Sequence, residues 1–143
     1  DGRPWIADWK SGARTDRILG NHDDLVPGDR STWQAGLRST QLALYLLLHA
    51  AREGRHPLGA DAAFVMLGTS RLDAEAEAPL FADRDRAAAQ WPRIEETLRR
   101  LIDEILDPTV PFAPAEDLSA ACPRCPFTTI CGTGGLAIRK ESR

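Results

Sequence analysis

Two pairs of side chains and one cysteine cluster have the types and spacing to do chemistry. Asp8 and Lys10 lie two apart in the run Ile6-Ala7-Asp8-Trp9-Lys10-Ser11-Gly12. On a strand, residues two apart project from the same face. A carboxylate there offers hard oxygen to Mg2+ or Mn2+, and an ammonium beside it can orient a water or stabilise a phosphate oxygen. By itself an acid and a base at this spacing also describes many solvated strands. Gln41 and Tyr45 lie four apart in Gln41-Leu42-Ala43-Leu44-Tyr45, which on a helix sets them on one face as a polar patch among apolar neighbours. Cys122, Cys125 and Cys131 are all the cysteines of the chain and form a C-x2-C-x5-C cluster. Thiolates at this spacing suit a soft metal, either zinc or an iron–sulfur cluster. Both need a fourth ligand, and His22, His49 and His56 are distant in sequence.

The elements that must position these groups follow from periodicity. Trp5, Ala7 and Trp9 alternate with Ile6, Asp8 and Lys10, so Pro4 to Lys10 is predicted as a strand. Asp1-Gly2 before it has hairpin-turn chemistry. Residues 11–31, with Gly12, Gly20, Pro27 and Gly28, are predicted as a loop. A helix is expected from about Thr32 to Glu53, apolar enough to be buried on more than one side, with Gly54 as its C-terminal stop. Ala62 to Leu67 is predicted as a second strand and Ser70 to Pro79 as an acidic loop. A second helix is expected from about Pro92, as a first-turn proline, to Leu106, with Ile94, Leu98, Leu101 and Ile105 as its apolar stripe.

The 143 residues suit one domain, and 43% hydrophobic with 27% charged residues argues against disorder. No apolar run reaches the roughly 18 residues needed to cross a bilayer, and no secretory signal opens the chain, so a cytoplasmic location without membrane association is expected. Residues 71–117 carry 12 acidic against 6 basic residues, and residues 118–143 carry 1 against 4, including Arg139, Lys140 and Arg143. That balance lacks the broad basic footprint of a non-specific DNA-binding domain.

The strand run through Asp8 and Lys10, followed by the Gln41–Tyr45 helix, resembles the RecB-type branch of the PD-(D/E)xK nucleases. The resemblance implies an α/β fold of the restriction-endonuclease kind, a mixed sheet flanked by helices. It implies that Asp8 binds the divalent metal, that Lys10 assists the attacking water, and that Gln41 and Tyr45 flank the scissile phosphate. The cysteines look like the terminal three of the AddB-type nucleases, with Phe112-Ala113-Pro114 similar to the Phe-x-Pro segment preceding them. In those proteins a further upstream cysteine completes a structural [4Fe-4S] cluster. The likeness runs from about Trp5 to Gly132 and implies a DNA exonuclease of recombination and repair, working with a helicase partner or domain.

Family members carry an upstream carboxylate and an upstream cysteine that have no counterpart here. The expectation is therefore a C-terminal portion of one nuclease domain, with residues 1–117 as core and 118–135 as cysteine segment. As it stands, such a portion is expected to be inactive and to leave a sheet edge open. Two other readings remain: a nuclease-like module that binds DNA or docks a helicase without catalysis, and a small zinc domain in which the cysteines recruit a histidine.

Overall fold

Alternating side chains build β1 (Trp5–Lys10) in the computed structural model, which describes residues 2–16, 18–70, 76–111, 113, 118, 122 and 125–133. Asp1, Phe112, Pro114 and the basic tail therefore lie outside the described residues. β1 pairs in parallel with β2 (Asp61–Met66), which places Asp8 beside Phe64 and Lys10 beside Met66. β2 in turn pairs antiparallel with β3 (Glu77–Pro79), with Phe64 opposite Ala78. The sheet is thus mixed, in the order β1-β2-β3, and among the described residues β1 has a neighbour on one side only. β2 is buried from Ala62 to Met66, which explains its unbroken apolar run: a central strand is covered on both faces.

A parallel pair needs a crossover, and here it contains α1 (Trp33–Leu37) and α2 (Gln41–Glu53). Leu42, Ala43, Leu46 and Ala50 form the buried face of α2, which packs on β1 and β2. Leu48 is exposed, so the helix is covered on one side rather than all round as its composition suggested. Gly54 ends it in the left-handed conformation (φ 61°), as expected of a helix stop. α3 (Arg84–Leu106) adds Trp91, Ile94 and Leu98 to the same core as Leu42, Leu46 and Phe64. Truncating any one of these leucines to alanine removes buried methyl groups worth roughly 2–5 kcal/mol.

Three expectations are corrected. The helix expected over 32–53 is two helices, broken where Arg38 adopts φ 55°, ψ −76° between α1 and Gln41. That conformation costs roughly 1–3 kcal/mol for a residue with a side chain and persists only where its surroundings impose it. The backbones of Gly20 and Gly36 impose it: a Cβ on Gly20 would lie 2.0 Å from the Gly36 carbonyl oxygen. With Leu19 bridged to Arg38, that close approach turns the chain before α2 can begin. The acidic stretch expected as loop to Pro79 ends in β3, a three-residue strand too short for alternation to show. α3 starts eight residues before Pro92, which lies inside it. Ala87, Ala88 and Ala89 are strong helix formers, and the Asp83 side chain caps the Arg86 N–H at 2.8 Å. Burial of Trp91 and Ile94 helps offset the hydrogen bond that proline cannot make.

The crossover segment is tied to α3 through Asp23. Its carboxylate accepts from Gln90 Nε2 at 2.8 Å and from Arg86 Nη1, and its backbone carbonyl accepts from Arg93 Nη1 at 3.0 Å. The Gln90 hydrogen bond and then Arg86 hold the Asp23 carboxyl below its ordinary range. His22 beside it is 6% exposed and packs against Phe81. Burial lowers its pKa from 6.5, partly opposed by its hydrogen bond to Gln90 and by the Asp23 charge.

The chain forms two compact units, Asp1–Asp103 and Glu104–Arg143, and the second is described by itself. In it Asp107 accepts from the Thr109 N–H at 2.8 Å and hydroxyl at 2.7 Å, which lowers its carboxyl pKa. Residues 126–132 form consecutive turns closed by Cys131 N–H to the Phe127 carbonyl and Thr133 N–H to the Thr128 carbonyl.

A depressed histidine pKa means the unfolded chain binds the proton first. The stabilisation is complete above about pH 6.5 and is lost as pH falls through the lower folded value. Thermal midpoints measured from about pH 7.5 to about pH 5 should therefore fall for the natural chain. In His22→Asn the slope over that range should flatten, whatever the absolute midpoint.

Candidate active site

The end of β1 meets the start of α2 at Lys10. Its Nζ donates to Gln41 Oε1 at 2.6 Å and to Asp8 Oδ2 at 3.2 Å, and stands 5.0 Å from the centre of the Phe64 ring. The parallel register sets this up: Phe64 is the partner of Asp8, so its ring faces the same side of the sheet as both charged groups. Trp9, between them, projects to the opposite face and is exposed. The Asp8 and Lys10 side chains are 14% and 25% exposed, so the pair sits at the margin of the core rather than free in solvent.

Gln41 is held for its task. Its N–H donates to Ser39 Oγ at 3.3 Å, and the Ser39 hydroxyl donates to Gln41 Oε1 at 3.4 Å. Gln41, Tyr45 and Leu48 fall on the exposed stripe of α2, with positions 41 and 45 one turn apart as the spacing required. The structure thus brings Asp8, Lys10 and Gln41 into contact. Tyr45 joins them by position on the helix face, with no hydrogen bond to the other three.

An ammonium has three N–H donors. Asp8 and Gln41 take two, which leaves one for a water or a phosphate oxygen arriving from solvent. Asp8 supplies one hard anionic oxygen group, a fitting donor for Mg2+ or Mn2+, ions often held by one or two carboxylates plus waters and substrate phosphates. Among the described residues, no further Asp, Glu, His or Cys joins it to make a three-ligand group.

Sequence reasoning missed Gly68. A Cβ there would lie 2.6 Å from the Ser11 carbonyl oxygen, and Gly68 N–H donates to the Gly12 carbonyl at 3.1 Å. The glycine lets the chain turn at once after Lys10. Its only signal in the sequence was a glycine closing an apolar strand. A cavity of about 390 Å3 near Arg3, Trp5 and Phe81 lies at the other end of β1 and includes neither Asp8 nor Lys10.

The cysteines do not gather into a metal-binding group, although all three are described. Cys122 is buried and its Sγ lies 3.6 Å from Thr133 Oγ1, the thiol donating, whereas Cys125 is half-buried and Cys131 exposed. Among the described residues, neither the ligand set of a [4Fe-4S] cluster nor a zinc–histidine site is gathered.

A carboxylate and an ammonium on one strand of a mixed sheet are met by a glutamine at the start of a crossover helix, in an α/β fold. The family model described as the PD-(D/E)XK nuclease superfamily matches residues 1–132, and the chain belongs to that superfamily. No curated protein and no solved structure matches it significantly.

If Gly68 sets the turn after Lys10, Gly68→Ala should push Ser11 and Gly12 outward and carry Lys10 off Gln41. Nuclease activity should fall about tenfold or more, as expected for misplacement by about 1 Å. Steady-state kinetics and a thermal midpoint together check it: the rate should drop further than the stability loss explains.

Proposed function

We propose that this chain is the catalytic portion of a metal-dependent DNA exonuclease serving recombination and repair. The observation that carries the reading is the Asp8–Lys10–Gln41 contact within a chain of the nuclease superfamily. Mg2+ or Mn2+ would supply Lewis-acid polarisation of the phosphate and a more acidic water. Asp8 would hold that ion, with a second carboxylate contributed from outside the described residues. Lys10 keeps one N–H directed to the attacking water or to a non-bridging oxygen, and Gln41 fixes the direction of that N–H by holding the ammonium. Tyr45, one turn along α2, would border the strand of DNA at the scissile phosphate. A helicase subunit or fused helicase domain would feed the DNA.

The exonuclease and repair assignments rest on the likeness of the two motifs to the RecB-type branch. In the intact protein, Asp8→Ala and Lys10→Ala should each lower Mg2+-dependent degradation of linear DNA by at least about a thousandfold, with folding retained by circular dichroism. Undiminished activity would overturn the assignment. DNA binding without cleavage in the intact protein would favour the non-catalytic module, a reading to which the net charge of -3 also leans.

The cysteine segment is read as a structural [4Fe-4S] ligand set on its C-x2-C-x5-C spacing, completed by a thiolate from outside the chain described here. A turn already joins Cys122 and Cys125, whose N–H donates to the Cys122 carbonyl at 3.1 Å. Iron, sulfide and zinc analysis after anaerobic purification of the full-length reading-frame product should return about four irons per chain. Stoichiometric zinc, or no metal, would exclude the cluster.

A further inference from the structure

Arg38 is the residue whose placement the catalytic contact leaves unexplained. Among the described residues it is the one non-glycine with positive φ, at 55°. Glycine would occupy that conformation at less cost. The backbone is held in place on both sides, by its N–H to the Gln34 carbonyl at 3.1 Å and by the bridge to Leu19. Neither interaction uses the side chain, so fold alone gives no reason for arginine here.

The guanidinium is exposed and has no acid to balance it. Most described arginines are engaged: Arg14 with Asp16, Arg86 with Asp23, Arg99 with Glu95 and Arg100 with Glu96. Among the described residues, nothing forms a side-chain hydrogen bond or ion pair with Arg38 or Arg55. They stand at opposite ends of α2, roughly 20 Å apart along its axis. Arg55 follows the C-terminal end, away from Lys10. Arg38 precedes Gln41 by three residues, at most about 11 Å of chain from the residue that grips Lys10. An arginine side chain at that distance reaches a backbone phosphate one or two nucleotides from a phosphate seated at Asp8 and Lys10. Guanidinium groups suit such a contact because their fork matches phosphate oxygens.

We propose that Arg38 is a phosphate-contacting residue that anchors the DNA strand beside the scissile bond. The proposal rests on the nuclease reading for its substrate, but it concerns binding and can be tested apart from cleavage. The rigid turn at Arg38 gives the guanidinium a fixed origin, and its lack of a protein partner leaves its donors available to DNA.

The test is fluorescence anisotropy with a labelled linear DNA oligonucleotide across a salt series, in an Asp8→Ala background so that the DNA stays intact. Arg38→Gly should weaken binding about five- to tenfold and lower the slope of log affinity against log salt by about one phosphate contact. Its thermal midpoint should be unchanged or higher, because glycine accepts the turn. Arg38→Lys should retain the slope, and Arg55→Ala should leave both slope and affinity unchanged. A slope unaffected by Arg38→Gly, or an equal loss in Arg55→Ala, would overturn the proposal. Absence of DNA binding in the parent would overturn it too. If binding follows Arg38 but the chain carrying Asp8 never cleaves DNA, the hydrolytic reading fails and the phosphate contact stands.

Discussion

A lysine side chain three-quarters withdrawn from solvent needs acceptors for its ammonium, and that requirement ties the sheet to the crossover helix. Asp8 meets it from the same strand, Gln41 from the first position of α2, and the Phe64 ring from the neighbouring strand. Each partner comes from a different part of the chain, so Lys10 is satisfied only when β1, β2 and α2 are assembled together. The same assembly leaves one N–H free, which is the chemical resource of the site. The groups that accept from Lys10 are also the ones that fix where its ammonium stands.

The long crossover makes this possible without a long regular element. Residues 11–40 contain short 3-10 turns, α1 and the strained turn at Arg38, and they would be loose without anchors. Two are visible. The close approach of Gly20 to Gly36 folds the segment on itself, and Asp23 fixes it to Arg86, Gln90 and Arg93 of α3. The three α3 residues recur at helical spacing, so one face of a single helix clamps the loop. The clamp lies outside the Lys10 contact yet determines how the chain enters α2, hence where Gln41 begins.

The cysteine segment behaves differently. Its spacing is that of a metal ligand set, but spacing only limits how far apart thiolates can be; it does not bring them together. In the structure Cys122 is buried with its Sγ 3.6 Å from Thr133 Oγ1, and Cys131 is exposed.

The shared faces of the candidate site residues were legible in the sequence because local periodicity governs them. Alternation put Asp8 and Lys10 on one face of a strand, and four-residue spacing put Gln41 and Tyr45 on one face of a helix. Strands β1 and β2 were readable for the same reason, as was the stop at Gly54. What periodicity could not reveal was set by contacts between distant segments. The break at Arg38 comes from Gly20 packing on Gly36, sixteen residues away. Strand β3 exists because β2 offers it a ladder, and α3 passes through Pro92 because burying Trp91 and Ile94 outweighs the missing hydrogen bond. The contact of Lys10 with Gln41, 31 residues on, was likewise a decision of the tertiary structure. Sequence alone determined which side chains share a face; only packing decided which faces meet, because that depends on which distant surfaces exclude water from each other.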